Sequence, residues 1–260
     1  MSSSNGSSAR SSKTASKPGD GTRLNRWLAE CGICSRREAD ELIRSGEVSV
    51  NGEPCLDLSR RVGPRDKVSL RGKELRIAEK VYLMLNKPRG YVVTHSDELK
   101  RETIYSLLPE SAANLRYTGR LDKNSEGLLL MTNDGEMINA LTHPKHRVEK
   151  VYRVEVNRRL SRKELEELRR GVQIEGGITL PAGVFVKNDS DKGMTLKMVI
   201  TEGRKRQIRQ MVEAVGAKVV RLKRLQFGTL MLKDLPLGRW RYLSGAELRS
   251  LKSLVENPKP

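Results

Sequence analysis

One carboxylate is set apart by its surroundings. Asp122 follows Gly119-Arg120-Leu121 and precedes the polar stretch Lys123-Asn124-Ser125-Glu126-Gly127. Leu128-Leu129-Leu130-Met131-Thr132 comes next, apolar without alternation, and Asn133-Asp134-Gly135 closes it. A short unbroken apolar run between turn residues reads as a strand buried on both faces. The spacing therefore places a carboxylate on a loop at the rim of a core, braced by a stiff strand. There it can act as a nucleophile, steady a developing cation or take a proton. Read in isolation, Asp122 beside Arg120 is a solvated surface pair.

Three further side chains stand in segments of mixed polar and apolar character. Tyr152 lies in a cleanly alternating run at 149–156, a strand with one face buried. Arg209 ends the basic string Glu202-Gly203-Arg204-Lys205-Arg206-Gln207-Ile208-Arg209, and Leu222 lies in the apolar-basic run 219–225. By itself each has a plain explanation: a packed strand aromatic, a solvated helix face and a core leucine. Lys87 sits in Asn86-Lys87-Pro88-Arg89-Gly90, a basic turn after the buried strand 81–85, where it either supports structure or touches a polyanion.

The elements that must position these residues fall into two modules. Residues 1–22 are Ser-rich and too poor in apolar groups to offset ordering entropy, so they read as a disordered basic tail. Residues 23–70 form a compact basic module. Leu24, Trp27 and Leu28 repeat at helical spacing, and Ser35-Arg36-Arg37-Glu38 is a capping box opening a second helix. Val48-Ser49-Val50 then alternates into Asn51-Gly52, a two-residue hairpin signal. Arg23, Arg26, Arg36, Arg37 and Arg44 cluster on the two helices; a solvated face is the plain reading of each. Residues 71–80 read as a charged linker and 81–260 as the second domain. In it, helices at 136–142, 161–170, about 207–215 and from 244 are interspersed with strands at 81–85, 149–156, about 178–187, 194–201 and 219–225. Without regular β-α-β spacing, that order predicts an α+β domain with a mixed, largely antiparallel sheet and peripheral helices.

Fifty Lys and Arg against 32 Asp and Glu give a net charge of +18. Such a field points to a polyanion, because each neutralised phosphate releases counterions. No apolar run approaches the roughly 20 residues a bilayer span requires, and no signal-peptide core follows Met1. A soluble, cytoplasmic, monomeric protein with no membrane partner is expected. Cys31 and Cys34 make a C-x-x-C without a second ligand pair, so no metal is expected.

The string G-R-L-D-x-x-S-x-G-L-L-L-x-T-N-D-G at 119–135 resembles the catalytic signature of RNA pseudouridine synthases, in the branch acting on bacterial ribosomal RNA. L-N-K-P-x-G at 85–90, the K-x-Y of the Tyr152 strand, E-G-R-K-R-Q-I-R-Q-M and V-V-R-L-K-R-L resemble its other motifs. The segment from Arg23 to Gly52 is similar to an S4-type RNA-binding domain of small α/β architecture. The resemblance covers nearly all of 23–245 and implies ribosomal RNA as partner. Overall likeness favours the large subunit over the small one. It also implies Asp122 as the catalytic nucleophile or base, Arg209 as its ion-pair partner, Tyr152 stacked on the uracil and Leu222 packed beneath. Arg120 would hold a flanking phosphate or fill the gap left by a flipped base. Arg23, Arg26, Arg36, Arg37 and Lys87 would contact RNA. The reaction transfers no electron or external group, so no cofactor is expected. A catalytically silent ribosome-assembly factor on the same scaffold is the alternative of a different class.

Overall fold

The computed structural model describes residues 21–190 and 193–256. It divides into two compact units, one ending at Ala78 and the other beginning at Glu79. Residues 1–20 of the disordered tail expected at 1–22 lie outside the described residues.

The first unit opens with β1 (Thr22–Arg23), then α1 (Leu24–Glu30) and α2 (Arg36–Arg44). Thr22 pairs with Val62, so the final residue of the expected tail belongs to a strand. Ser35 caps α2 with the full reciprocal box, its side chain accepting from the Glu38 amide. Strands β2 (Val48–Val50) and β3 (Glu53–Pro54) form the Asn51-Gly52 hairpin; both turn residues have positive φ, as that turn requires. After β4 (Arg61–Val62), β5 (Val68–Leu70) pairs with β2 and with β6 (Lys73–Glu74). The expected linker thus begins as a sheet strand, turned back at Arg71-Gly72. Leu24, Leu28, Ala39, Ile43, Val48 and Val68 form its core.

The second unit is built on one large sheet. Its path runs through β13 (Gly183–Ser190), β14 (Gly193–Ile200), β10 (Lys150–Val156), β15 (Val219–Phe227), β9 (Glu126–Thr132), β7 (Tyr82–Lys87) and β17 (Trp240–Tyr242). Short β8 (Arg116–Tyr117) adds to β9, and β16 (Leu230–Met231) adds to β15. A separate hairpin pairs β11 (Gln173–Ile174) with β12 (Gly177–Ile178). Among the described residues the named strands pair antiparallel except β9 with β15, which run parallel at Glu126 and Gly127; an isolated bridge, Val92 to Thr103, is also parallel. Successive residues of β7 and β9 divide between two cores. Leu83, Leu85, Leu129 and Met131 face the side covered by α4 (Arg162–Arg170) and α5 (Gln207–Ala214). Tyr82, Met84, Leu128 and Leu130 face the side covered by α3 (Gly135–Thr142) and α6 (Gly245–Glu256). The unbroken apolar run at 128–132 is therefore explained by burial on both faces.

Candidate active site

Asp122 lies on the connection between β8 and β9, and main-chain groups fix that loop. The Ser125 amide donates to Asp122 O at 3.0 Å, and the Gly90 amide to Lys123 O at 2.9 Å. Lys87, the last residue of β7, inserts beneath the loop. Its Nζ donates to Ser125 O and Pro88 O at 2.9 Å, Asp122 O at 3.2 Å and Lys123 O at 3.3 Å. It is fully buried, and burial pulls its pKa down to about 8 against the opposing pull of Asp122 and Glu126. The expectation that Lys87 contacts RNA is corrected by this geometry: its ammonium is spent on the loop's carbonyls and does not reach solvent.

At the strand's entrance, Glu126 is buried and held by Arg221, whose Nη2 donates at 2.9 Å and whose Nε donates at 3.2 and 3.3 Å. That pair braces the carboxyl-bearing loop from β15, where the two strands run parallel. Sequence reading missed it, since no local pattern links positions 95 residues apart.

From α5, Arg209 reaches the same loop. Its Nη2 donates to Asn124 O at 2.9 Å and its Nη1 to Val219 O at 3.4 Å. Its Nε lies 3.7 Å from Asp122 Oδ2, an ion pair longer than a hydrogen bond, and that Nε has no hydrogen-bond partner. The Arg209 side chain is 10% exposed and that of Asp122 34%. Burial, then Arg206, holds Arg209 below the usual guanidinium range. The helix carrying Arg209 is itself anchored: Gln207 Nε2 donates to Glu202 Oε1 at 2.6 Å and Arg204 Nε to Glu202 Oε2 at 3.0 Å.

Asp122 opens onto a cavity of about 500 Å³. Arg120, Tyr152 and Leu222 line it with Asp122. Arg120 is exposed at the rim, whereas Tyr152 and Leu222 are buried in the floor on adjacent strands, Leu222 opposite Val154. Arg209 stands behind Asp122, while its neighbours Arg206, Gln207 and Ile208 line the wall. Four residues expected at one site are thus brought together with Arg209, although their positions span 120–222. Lys150 and Arg224 also line the cavity and were not expected there. Both lay within recognised strings; the missing information was which strand face each would occupy.

In the first unit Arg36 and Arg37 are exposed at the N-terminus of α2, and Arg23 is exposed at the start of α1. Arg26 is half-buried, with its Nε 2.8 Å from Glu30 one turn on, so part of its charge is already matched. Burial, then Glu30 and Cys34, pushes the Cys31 thiol up to about 12.

A carboxylate on a clamped loop, a guanidinium behind it and an aromatic-aliphatic floor form a pocket for a planar, partly polar group. The RNA pseudouridylate synthase family model matches residues 81–214, which span every one of these features except Leu222. The chain belongs to that family. An S4 domain model matches residues 22–68. Ribosomal large subunit pseudouridine synthase B of Bacillus subtilis (strain 168) is 36% identical over 239 residues, covering 91% of this chain and 98% of that protein. The protein of the same name from Salmonella typhi is 38% identical over 247 residues, covering 91% of this chain and 84% of its own. A crystal structure of pseudouridylate synthase, 32% identical, superposes with a TM-score of 0.65 over 88% of this chain and 99% of that one. These pseudouridylate synthase relatives span both units, and the solved fold agrees with the mixed, largely antiparallel sheet.

Proposed function

We propose that this enzyme isomerises uridine to pseudouridine in ribosomal RNA of the large subunit, with Asp122 as the catalytic carboxylate. The observation that carries the reading is the pairing of Asp122 with Arg209 at the mouth of the cavity floored by Tyr152 and Leu222. The large-subunit relatives, matched over both units, support the choice of RNA. The protein acts in the cytoplasm as a monomer.

The reaction breaks the C1′–N1 bond, turns the uracil, joins C5 to C1′ and releases the C5 proton. N1 takes up a proton in place of the one lost from C5, so apart from this exchange with solvent no external group is required. Asp122 either attacks C1′ or removes a sugar proton; one ionised carboxylate serves both routes. Arg209 supplies the counter-charge within 4 Å. Tyr152 stacks on the uracil and Leu222 packs below it. Because C1′ and C5 are hidden in a stacked helix, the target nucleotide is flipped out, and Arg120 at the rim meets the flanking phosphate or fills the vacated stack. Arg23, Arg36 and Arg37 hold RNA phosphates, with Arg26 contributing through whatever charge Glu30 leaves unmatched.

The test is tritium release from [5-³H]uridine-labelled ribosomal RNA, free or partly assembled, by wild type and Asp122→Ala. Wild type releases tritium and the variant does not. Release by both would remove Asp122 from the centre of the mechanism. Tight binding of RNA with release by neither would favour an assembly factor.

A further inference from the structure

The cavity floor continues past Tyr152 and Leu222 into a cationic layer that the proposed roles leave unused. Lys150 lies two residues before Tyr152 on β10 and so shares its face of the sheet. Arg224 is the cross-strand partner of Tyr152 on β15. Its side chain is almost fully buried; Nε donates to Leu128 O at 2.7 Å, and Nη2 is buried with no partner. Lys150 Nζ donates to Val148 O at 2.7 Å and Thr201 O at 3.3 Å. Both cations stand over one ring, Arg224 Cζ at 5.0 Å and Lys150 Nζ at 5.9 Å from the Phe227 centroid. Among the described residues neither is within ion-pair distance of a carboxylate.

Two like charges sharing one aromatic ring, one nearly fully buried and the other partly so, with no carboxylate in ion-pair contact, are an expensive arrangement. Burial, then Arg224, pulls the Lys150 pKa down to about 8. The ring face offsets part of that cost, because its quadrupole attracts cations. The two main-chain acceptors of Lys150 and the one of Arg224 leave donor capacity unused on both groups. Glu202, on the same cavity wall, offsets part of the shift at Lys150 from beyond ion-pair distance, which leaves both cations without a directly contacting anion where the cavity opens to the substrate.

We infer that Lys150 and Arg224 receive the uracil once its bond to C1′ has broken and stabilise it as an anion. This rests on the proposed isomerisation. Whether Asp122 attacks C1′ or removes a sugar proton, the C1′–N1 electron pair leaves with the ring and spreads over N1, O2 and O4. The charge is consumed when C5 joins C1′; the C5 proton then departs and N1 takes up a proton, which restores the neutral aromatic ring. Donors fixed in advance stabilise such a transient charge better than solvent that must reorient to meet it. A flanking phosphate is the competing occupant of the same cations, and it would show in affinity rather than in rate.

The experiment compares single-turnover rates at saturating RNA for wild type, Asp122→Asn, Lys150→Gln, Arg224→Lys and Arg224→Gln. Each is assayed on RNA carrying uridine and on RNA carrying 5-fluorouridine. The readout is the N1-linked nucleoside that remains after nuclease digestion, and RNA affinity is measured separately. Fluorine withdraws electrons and makes the ring a better leaving group, so it lessens the need for cations. Lys150→Gln and Arg224→Gln are expected to be about 100-fold slower on uridine, the usual loss for one preorganised donor. On 5-fluorouridine their losses should be several-fold smaller, with RNA affinity unchanged, and Arg224→Lys should recover part of the rate. Equal losses on both substrates, or lost affinity at unchanged rate, would overturn the inference. Should Arg224→Gln fail to fold, Lys150→Gln decides alone. Activity in wild type and none in Asp122→Asn secures the underlying isomerisation independently; an inactive wild type would remove that reading first.

Discussion

Lys87 shows how a single side chain can hold a site without touching substrate. Its ammonium is surrounded by four main-chain oxygens, three of them on the Asp122 loop. Lys87→Met would leave those acceptors buried and unmatched, and a loss of roughly 3 kcal/mol in urea unfolding is expected. The same residue gives the protein a pH signature. Its folded pKa of about 8 lies below that of a free lysine. Between those values the unfolded chain holds more protons, so this group's contribution to stability rises with pH. The advantage of wild type over Lys87→Met should therefore grow by about 2 kcal/mol between pH 7.5 and 9.5. Comparing the two proteins cancels the titration of every other group. An advantage that stays constant or shrinks over that range would mean the ammonium keeps its proton as readily folded as unfolded. Nothing in L-N-K-P-x-G marks Lys87 as buried, because the direction of a side chain at a strand end is set by its neighbours in space.

At the scale of elements, the site depends on the parallel pairing of β9 with β15. It lets the loop before β9 and the floor on β15 open to the same face. Gly127 permits it. Its φ is +105°, and a Cβ there would collide with the Arg224 carbonyl oxygen and amide nitrogen. Gly90 has a similar φ of +94° but open space around it. Gly90→Ala should cost about 1–2 kcal/mol, the strain of the backbone alone. Gly127→Ala should cost more than about 4 kcal/mol or prevent folding, which thermal unfolding of the pair will separate. Equal losses would show that β15 yields at no expense. Elements specified locally were legible: the boxes at Ser35, Ser161 and Ser244 cap helices as expected, and the run at 128–132 is a buried strand. Those specified by distant partners were not. The strand expected from 178 begins at Gly183, because Ile178 belongs to the β11–β12 hairpin, whose carbonyls Arg204 holds from 26 to 28 residues away. β17 exists because Trp240 and Tyr242 find β7, more than 150 residues back.

For the whole molecule, the net charge of +18 sets the strength of RNA binding and its sensitivity to salt. Within that field the two units are expected to contribute differently. Contacts in the cavity are proposed to act on the reacting nucleotide, whereas Arg36 and Arg37, exposed at the capped start of α2, are proposed to act on RNA phosphates. The helix amides at that end add a partial positive charge to theirs, a favourable place for an anion. Arg36→Gln with Arg37→Gln should weaken RNA binding at low salt and reduce the slope of log affinity against log salt by about 2, one unit for each phosphate released. Glutamine keeps the length and polarity of these positions, and the Ser35–Glu38 box is left in place, so the helix should persist. At saturating RNA the rate of tritium release should match wild type, since neither arginine lines the cavity. A lower rate under those conditions would show that the first unit helps to assemble the reacting geometry. An unchanged slope would place its contacts with RNA on another face.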